Sequence, residues 1–159
     1  MVSRRLLALI PLLALYAGCA APTTDDAVFS ERSGLYWQRC AIGATWDGAA
    51  CVGEPARVPW SDAAVACSEM GPGYRLPTLD ETAALLGACT APGEAARCAP
   101  CAASAECSGV LADLELGTTW TADPLGEGDD VVVVDLDSGV IEYTDMEQAL
   151  RVRCVVETL

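Results

Sequence analysis

The sequence holds no histidine and no lysine; all nine of its basic residues are arginines, set against 23 acids for a net charge of −14. Without histidine, no Ser-His or Cys-His nucleophile, no histidine-bound zinc and no imidazole proton shuttle can be built from this chain alone. A surface this acidic repels nucleic acid and anionic lipid headgroups, so neither is an expected partner through bulk electrostatics. Long apolar runs are missing as well. The longest, Leu6 to Leu15, contains Pro11 and falls short of the ~20 residues that a membrane-spanning helix needs. Phenylalanine occurs once, whereas cysteine occurs nine times.

That apolar run follows Arg4 and Arg5 and ends in Tyr16-Ala17-Gly18-Cys19, which is the layout of a signal peptide over residues 1–18 with a lipobox-like end. By resemblance to bacterial lipoproteins, Cys19 becomes the lipidated first residue of an exported protein, and Ala20 after it favours the outer membrane. An ordinary secreted protein cleaved nearby is the plainer alternative. Residues 19–29 include Pro22 and paired threonines and aspartates, and they read as a tether. Residues 30–159 are one domain's worth of chain, small enough to gain from covalent staples.

Eight cysteines remain after Cys19, an even number that reads as disulfides in an exported protein. Cys40 and Cys51 flank the hairpin-like loop Gly43 to Gly48, and closing it stabilises by about 3 kcal/mol in the chain-entropy model. A bridge from Cys67, on the inner face of a predicted helix, to Cys154, on the inner face of the last predicted strand, ties the C-terminus to the core. Cys89, Cys98, Cys101 and Cys107 lie in an alanine-rich stretch, 89–107, that reads as an insertion held by two further bridges of unassigned pairing. Two sharper readings fit the same residues. Cys98-Ala99-Pro100-Cys101 has the form of a thiol redox site, but lacks the strand-helix setting such sites use. Four thiolates could hold zinc, though their spacing is not the paired type.

The clearest local signal is Tyr74-Arg75-Leu76-Pro77-Thr78-Leu79-Asp80-Glu81. Thr78 and Glu81 have the spacing of a capping box, and Pro77 keeps Leu76 extended, so a short arm turns into a helix running to about Ala88 with Leu79, Ala83 and Leu86 inward and Leu85 beside them. An earlier helix spans Trp60 to Met70, with Ser61 as N-cap, Trp60 and Val65 as a hydrophobic staple, and Trp60, Ala64 and Cys67 on one face. Strands are expected around Leu35 to Cys40 and Thr118 to Ala122, and in a hairpin of Val131 to Leu136 with Val140 to Thr144. In the last strand, Leu150, Val152, Cys154 and Val156 alternate with Arg151 and Arg153, which places the arginines outward.

Taken in order, Leu35-Tyr36-Trp37-Gln38-Arg39-Cys40, the Trp60 helix, Arg75-Leu76-Pro77-Thr78, Trp120-Thr121 and Arg151-Val152-Arg153-Cys154-Val155 resemble the Lcl C-terminal domain family, a bacterial domain of unknown function. The resemblance covers nearly all of the mature chain; Tyr74, where the family more often has tryptophan, and the 89–107 insertion depart from it. It makes Trp37, Trp60, Arg75, Leu76, Pro77, Thr78, Trp120 and Arg153 family-motif residues. The Arg-Leu-Pro-Thr stretch is also similar to formylglycine-generating enzymes. The fold thereby implied is α+β and C-type-lectin-like, with two helices packed on small antiparallel sheets and disulfide staples.

Activity does not follow from such a fold. No nucleophile-base pair is visible, and Asp80 and Glu81 are explained as helix-start acids. The expectation is a non-catalytic envelope lipoprotein, anchored to the membrane by lipid and binding a glycan or, alternatively, an envelope protein. Formylglycine-type or thiol-redox activity ranks below both. Glu127, Asp129 and Asp130, with Asp123, are candidate calcium ligands, although solvated turn acids are the simpler reading. Trp37 and Trp46 are candidates for stacking on a sugar.

Overall fold

The computed structural model describes residues 24–87 and 114–159. The signal sequence, Cys19, and the cysteines Cys89, Cys98, Cys101 and Cys107 lie outside the described residues. A single 3-10 turn, Thr24–Asp26, leads into β1 (Ala27–Ser30), which pairs with β2 (Leu35–Gln38). Part of the stretch read as a tether, Ala27 to Phe29, is therefore sheet. Ala27 and Ser30 are buried against the domain, which a reading based on polarity alone missed.

Three sheets follow. β1 and the C-terminal β10 (Val155–Val156) flank β2, so the two ends of the domain share one sheet. β3 (Thr45–Trp46) and β4 (Cys51–Val52) form a small hairpin in which Asp47 Oδ1 accepts the N–H groups of Ala49 and Ala50, both at 2.9 Å. The large sheet has the order β5-β9-β6-β7-β8, built from Arg57–Val58, Leu150–Arg151, Thr118–Pro124, Asp130–Asp135 and Ile141–Asp145. Its β6–β9 contact is parallel, so the expected purely antiparallel pattern holds everywhere else but not there.

Helices α1 (Trp60–Glu69) and α2 (Leu79–Leu86) cover opposite faces of this sheet. Leu85 and Leu86 join Val132, Val134 and Ile141 in one apolar cluster that also takes in Trp37 and Val155 of the first sheet. Ala63 and Cys67 join Val131, Val133, Trp120 and Val152 in the other. β7 thus has no solvent-facing side, which is why it is written as four consecutive valines rather than as an alternation.

Local details of the helices differ from expectation. Pro59 precedes α1 with no side-chain cap, Ser61 lies within the helix, and Val65 is 54% exposed, so neither the serine cap nor the Trp60–Val65 staple forms. Instead the Trp60 ring is held from outside the helix, its N–H donating to the Thr121 carbonyl at 2.8 Å. Ala63, not Ala64, is the buried residue one turn before Cys67. In α2 Leu85 and Leu86 are buried and Leu79 packs against the same cluster, as expected, but Thr82 rather than Ala83 completes the inward face; the Thr82 hydroxyl is satisfied by the Thr78 carbonyl at 2.9 Å. Two disulfides are present among the described residues, Cys40–Cys51 and Cys67–Cys154, the pairs expected from the sequence.

Candidate functional site

The family-motif residues are framework. Trp37 and Trp120 are fully buried, and their indole N–H groups donate to Ser33 Oγ at 2.8 Å and to the Val58 carbonyl at 2.9 Å. Trp37 therefore has no face to offer a sugar. Arg75 pairs with Glu81 through two hydrogen bonds, 2.6 and 2.8 Å. Glu81 also accepts the Thr78 N–H at 2.8 Å while Thr78 Oγ1 accepts the Glu81 N–H at 3.2 Å, which completes the capping box. The Leu76 side chain is buried in the α1-side cluster, and the Pro77 carbonyl accepts the Ala122 N–H at 2.8 Å.

Arg153 overturns the expected outward arginine. Its side chain is 2% exposed and donates to the carbonyls of Gln38, Arg39 and Glu115. Burial pushes its ionisation down to about 10, still above neutral pH, so a charged guanidinium sits inside, held by three carbonyls. Alternation failed because the chain leaves the large sheet at Arg151 and joins the first sheet at Val155, and residues 152–156 are covered on both sides. Arg151 acts on the same segment, donating to the Leu116 carbonyl at 2.6 Å and lying 3.6 Å from the Glu115 carboxylate. Together the two arginines pin Glu115 and Leu116, where the chain returns from residues 88–113. Glu115 itself was not singled out from the sequence; it carries no motif, and only the long-range contacts reveal it.

The acidic loop does not gather into a metal cage. Asp123 is spent on α2, accepting the Leu79 N–H at 2.6 Å, and among the described residues no group of three acidic, cysteine or histidine side chains converges. Glu127 and Asp129 are exposed in the β6–β7 connection and Asp130, also exposed, opens β7. The calcium reading therefore finds no geometry to support it here.

What the register does bring together is an aromatic ring and two acids. Asp130 pairs with Asp145 and Val132 with Tyr143, so Asp130, Asp145 and Tyr143 project from one face at the open end of the β7–β8 hairpin. Tyr143 is 38% exposed and both aspartates are exposed, while the next pair inward, Val134 with Ile141, is already core. One oxygen of Asp145 accepts the Glu147 N–H at 2.8 Å, which fixes its orientation. Chemically, a phenol ring beside carboxylate acceptors on an edge strand can stack on the apolar face of a sugar while the acids accept its hydroxyls. The sequence flagged Asp130 but not Tyr143 or Asp145. Counting across the Asp137-Ser138-Gly139 turn would have paired them.

Two other surface features stand out. Phe29, 44% exposed, lies against Tyr36 with ring centroids 5.0 Å apart on the edge strand β1. The Trp46 ring, half-buried on the β3–β4 hairpin, is covered on one side by the Arg39 guanidinium at 4.9 Å. No described helix is long and apolar enough to cross a membrane. The family model for the Lcl C-terminal domain matches residues 26–156. No curated protein sequence matches the chain.

Proposed function

Because the chain belongs to the Lcl C-terminal domain family, we propose that it is a non-catalytic binding module of the cell envelope, exported, lipid-anchored through Cys19, and C-type-lectin-like in fold. The ligand class is a glycan. The carrying observation is the Tyr143, Asp130 and Asp145 face, an exposed ring flanked by acceptors on a scaffold whose motif residues are already spent on one another. Absence of histidine and the engagement of Arg75, Glu81 and Asp123 in helix capping support a binding role over an enzymatic one.

The test is binding of the oxidised mature chain to glycans and peptidoglycan fragments, in calcium and then in chelator. Tyr143→Ala should weaken the interaction about fivefold to tenfold, and Asp130→Asn by less, since a stacked ring contributes roughly 1 kcal/mol. Equal binding in chelator is expected, given the scattered acids. If no fragment binds, the glycan reading is wrong. A protein partner then takes its place, favoured by the exposed Phe29 on edge strand β1, backed by Tyr36 of β2, where an added strand could dock.

A further inference from the structure

We infer that the Cys40–Cys51 hairpin rests on the membrane surface, with Trp46 in the headgroup layer of a zwitterionic lipid leaflet. The inference rests on the proposed acylation of Cys19. Five Cα steps separate Cys19 from Thr24, where the folded domain begins, and five steps reach at most about 18 Å. A domain tied this closely cannot swing free of the surface, so whatever stands beside its first residues faces lipid.

The β3–β4 hairpin is what stands there. Arg39 links the two: its Nε donates to the Asp25 carbonyl at 2.9 Å, its N–H donates to the Asp26 carbonyl at 2.9 Å, and its guanidinium lies 4.9 Å from the centre of the Trp46 ring. The disulfide, the Thr45↔Val52 and Trp46↔Cys51 pairing and the Asp47 turn make the hairpin a rigid projection. Its outward residues suit an interface. Ala49 and Ala50 are exposed at the tip, Val52 is 48% exposed on one face, and Trp46, half-buried on the other face beside Cys51, offers an apolar ring with a polar N–H, the combination found at headgroup depth. The one carboxylate of the loop, Asp47, has an oxygen occupied by two backbone N–H groups, which hold its ionisation below the usual range, so it stays charged and limits the turn to the polar headgroup layer. Asp25 and Asp26 at the same end disfavour an anionic surface and suit an ammonium-bearing headgroup.

The experiment uses the full lipidated protein reconstituted in phosphatidylethanolamine–phosphatidylcholine vesicles whose acyl chains carry bromine close to the headgroup. Mass spectrometry of the N-terminal peptide reads the acylation, and tryptophan quenching reads the position of the hairpin. Trp37 and Trp120 are buried, and the half-buried Trp60 on α1 is kept in every variant, so the difference between parent and Trp46→Phe isolates the hairpin's share. The expected result is an acylated peptide, with quenching that falls about twofold or more in Trp46→Phe and in a variant with about 20 Gly/Ser residues inserted between Ala21 and Pro22. The insertion leaves every described contact intact, so it answers even if Trp46→Phe folds poorly. An acylated protein whose quenching ignores both changes overturns the inference and leaves the anchor standing. An unacylated N-terminus overturns the anchor, and the inference with it.

Discussion

At the scale of single residues, the chain satisfies its buried polar atoms unevenly. Each of the three core-facing tryptophans has an indole N–H partner and the Arg153 Nη groups find three carbonyls, but the Tyr74 hydroxyl, like the Nε atoms of Arg151 and Arg153, is buried with no partner among the described residues. Tyr74 packs against the α1-side cluster, and burial, followed by the charge of Asp26, pushes its ionisation up. An unpaired buried hydroxyl costs about 1 to 3 kcal/mol. Tyr74→Phe should therefore raise stability, by roughly 1 kcal/mol, as read by the denaturant midpoint; a clear loss would mean that the hydroxyl has a partner after all. The sequence marked Tyr74 as unusual, since tryptophan is more common before Arg-Leu-Pro in proteins that this stretch resembles. It could not say that the hydroxyl would be stranded, because that depends on which groups the fold brings near.

At the scale of elements, α2 is the most completely specified piece of the structure. Thr78, Glu81 and Arg75 fix its start, Asp123 accepts the Leu79 N–H from across the sheet, and Gly87, with φ of 94°, ends it. The Arg75 hydrogen bond, offset in part by burial and aided by the Thr78 N–H, holds the Glu81 carboxyl below its ordinary 4.5. A carboxyl whose folded value is depressed stabilises above its unfolded value, and that contribution is lost as the pH falls through the folded one. Glu81→Gln should thus cost about 1 to 2 kcal/mol at pH 7, and the gap between variant and parent should close as the pH drops below 4.5. Thermal melts of both proteins across that range would show it, and a gap independent of pH would rule out the ionic contribution. The capping box was legible because it is local, four residues long. Leu85 and Leu86 were legible in the same way, but Thr82 was not, since it lies inward with its hydroxyl turned back to the Thr78 carbonyl.

At the scale of the whole molecule, the two disulfides do different work. Cys40–Cys51 closes a span of 11 residues and stiffens one hairpin, whereas Cys67–Cys154 closes 87 and joins α1 to the segment that crosses between the two larger sheets. The chain-entropy model assigns roughly 3 and 4 to 5 kcal/mol to them. The double change Cys67→Ser with Cys154→Ser should lower unfolding free energy by about that larger amount, well beyond the loss from Cys40→Ser with Cys51→Ser; the reverse order in denaturant titrations would contradict this assignment. Both pairs could be chosen from the sequence, as could the α+β class, the two helices, the capping box and the Val131–Val134 strand, because each is written in a local pattern: a loop, a periodicity, a spacing of three. Tertiary structure alone decided the rest. It buried Arg153 by carrying the chain from one sheet to another and drew Ala27–Ser30 into the domain by pairing them with β2. Each of these depends on what lies on the far side of a residue, and nothing in a residue's own neighbourhood along the chain records it.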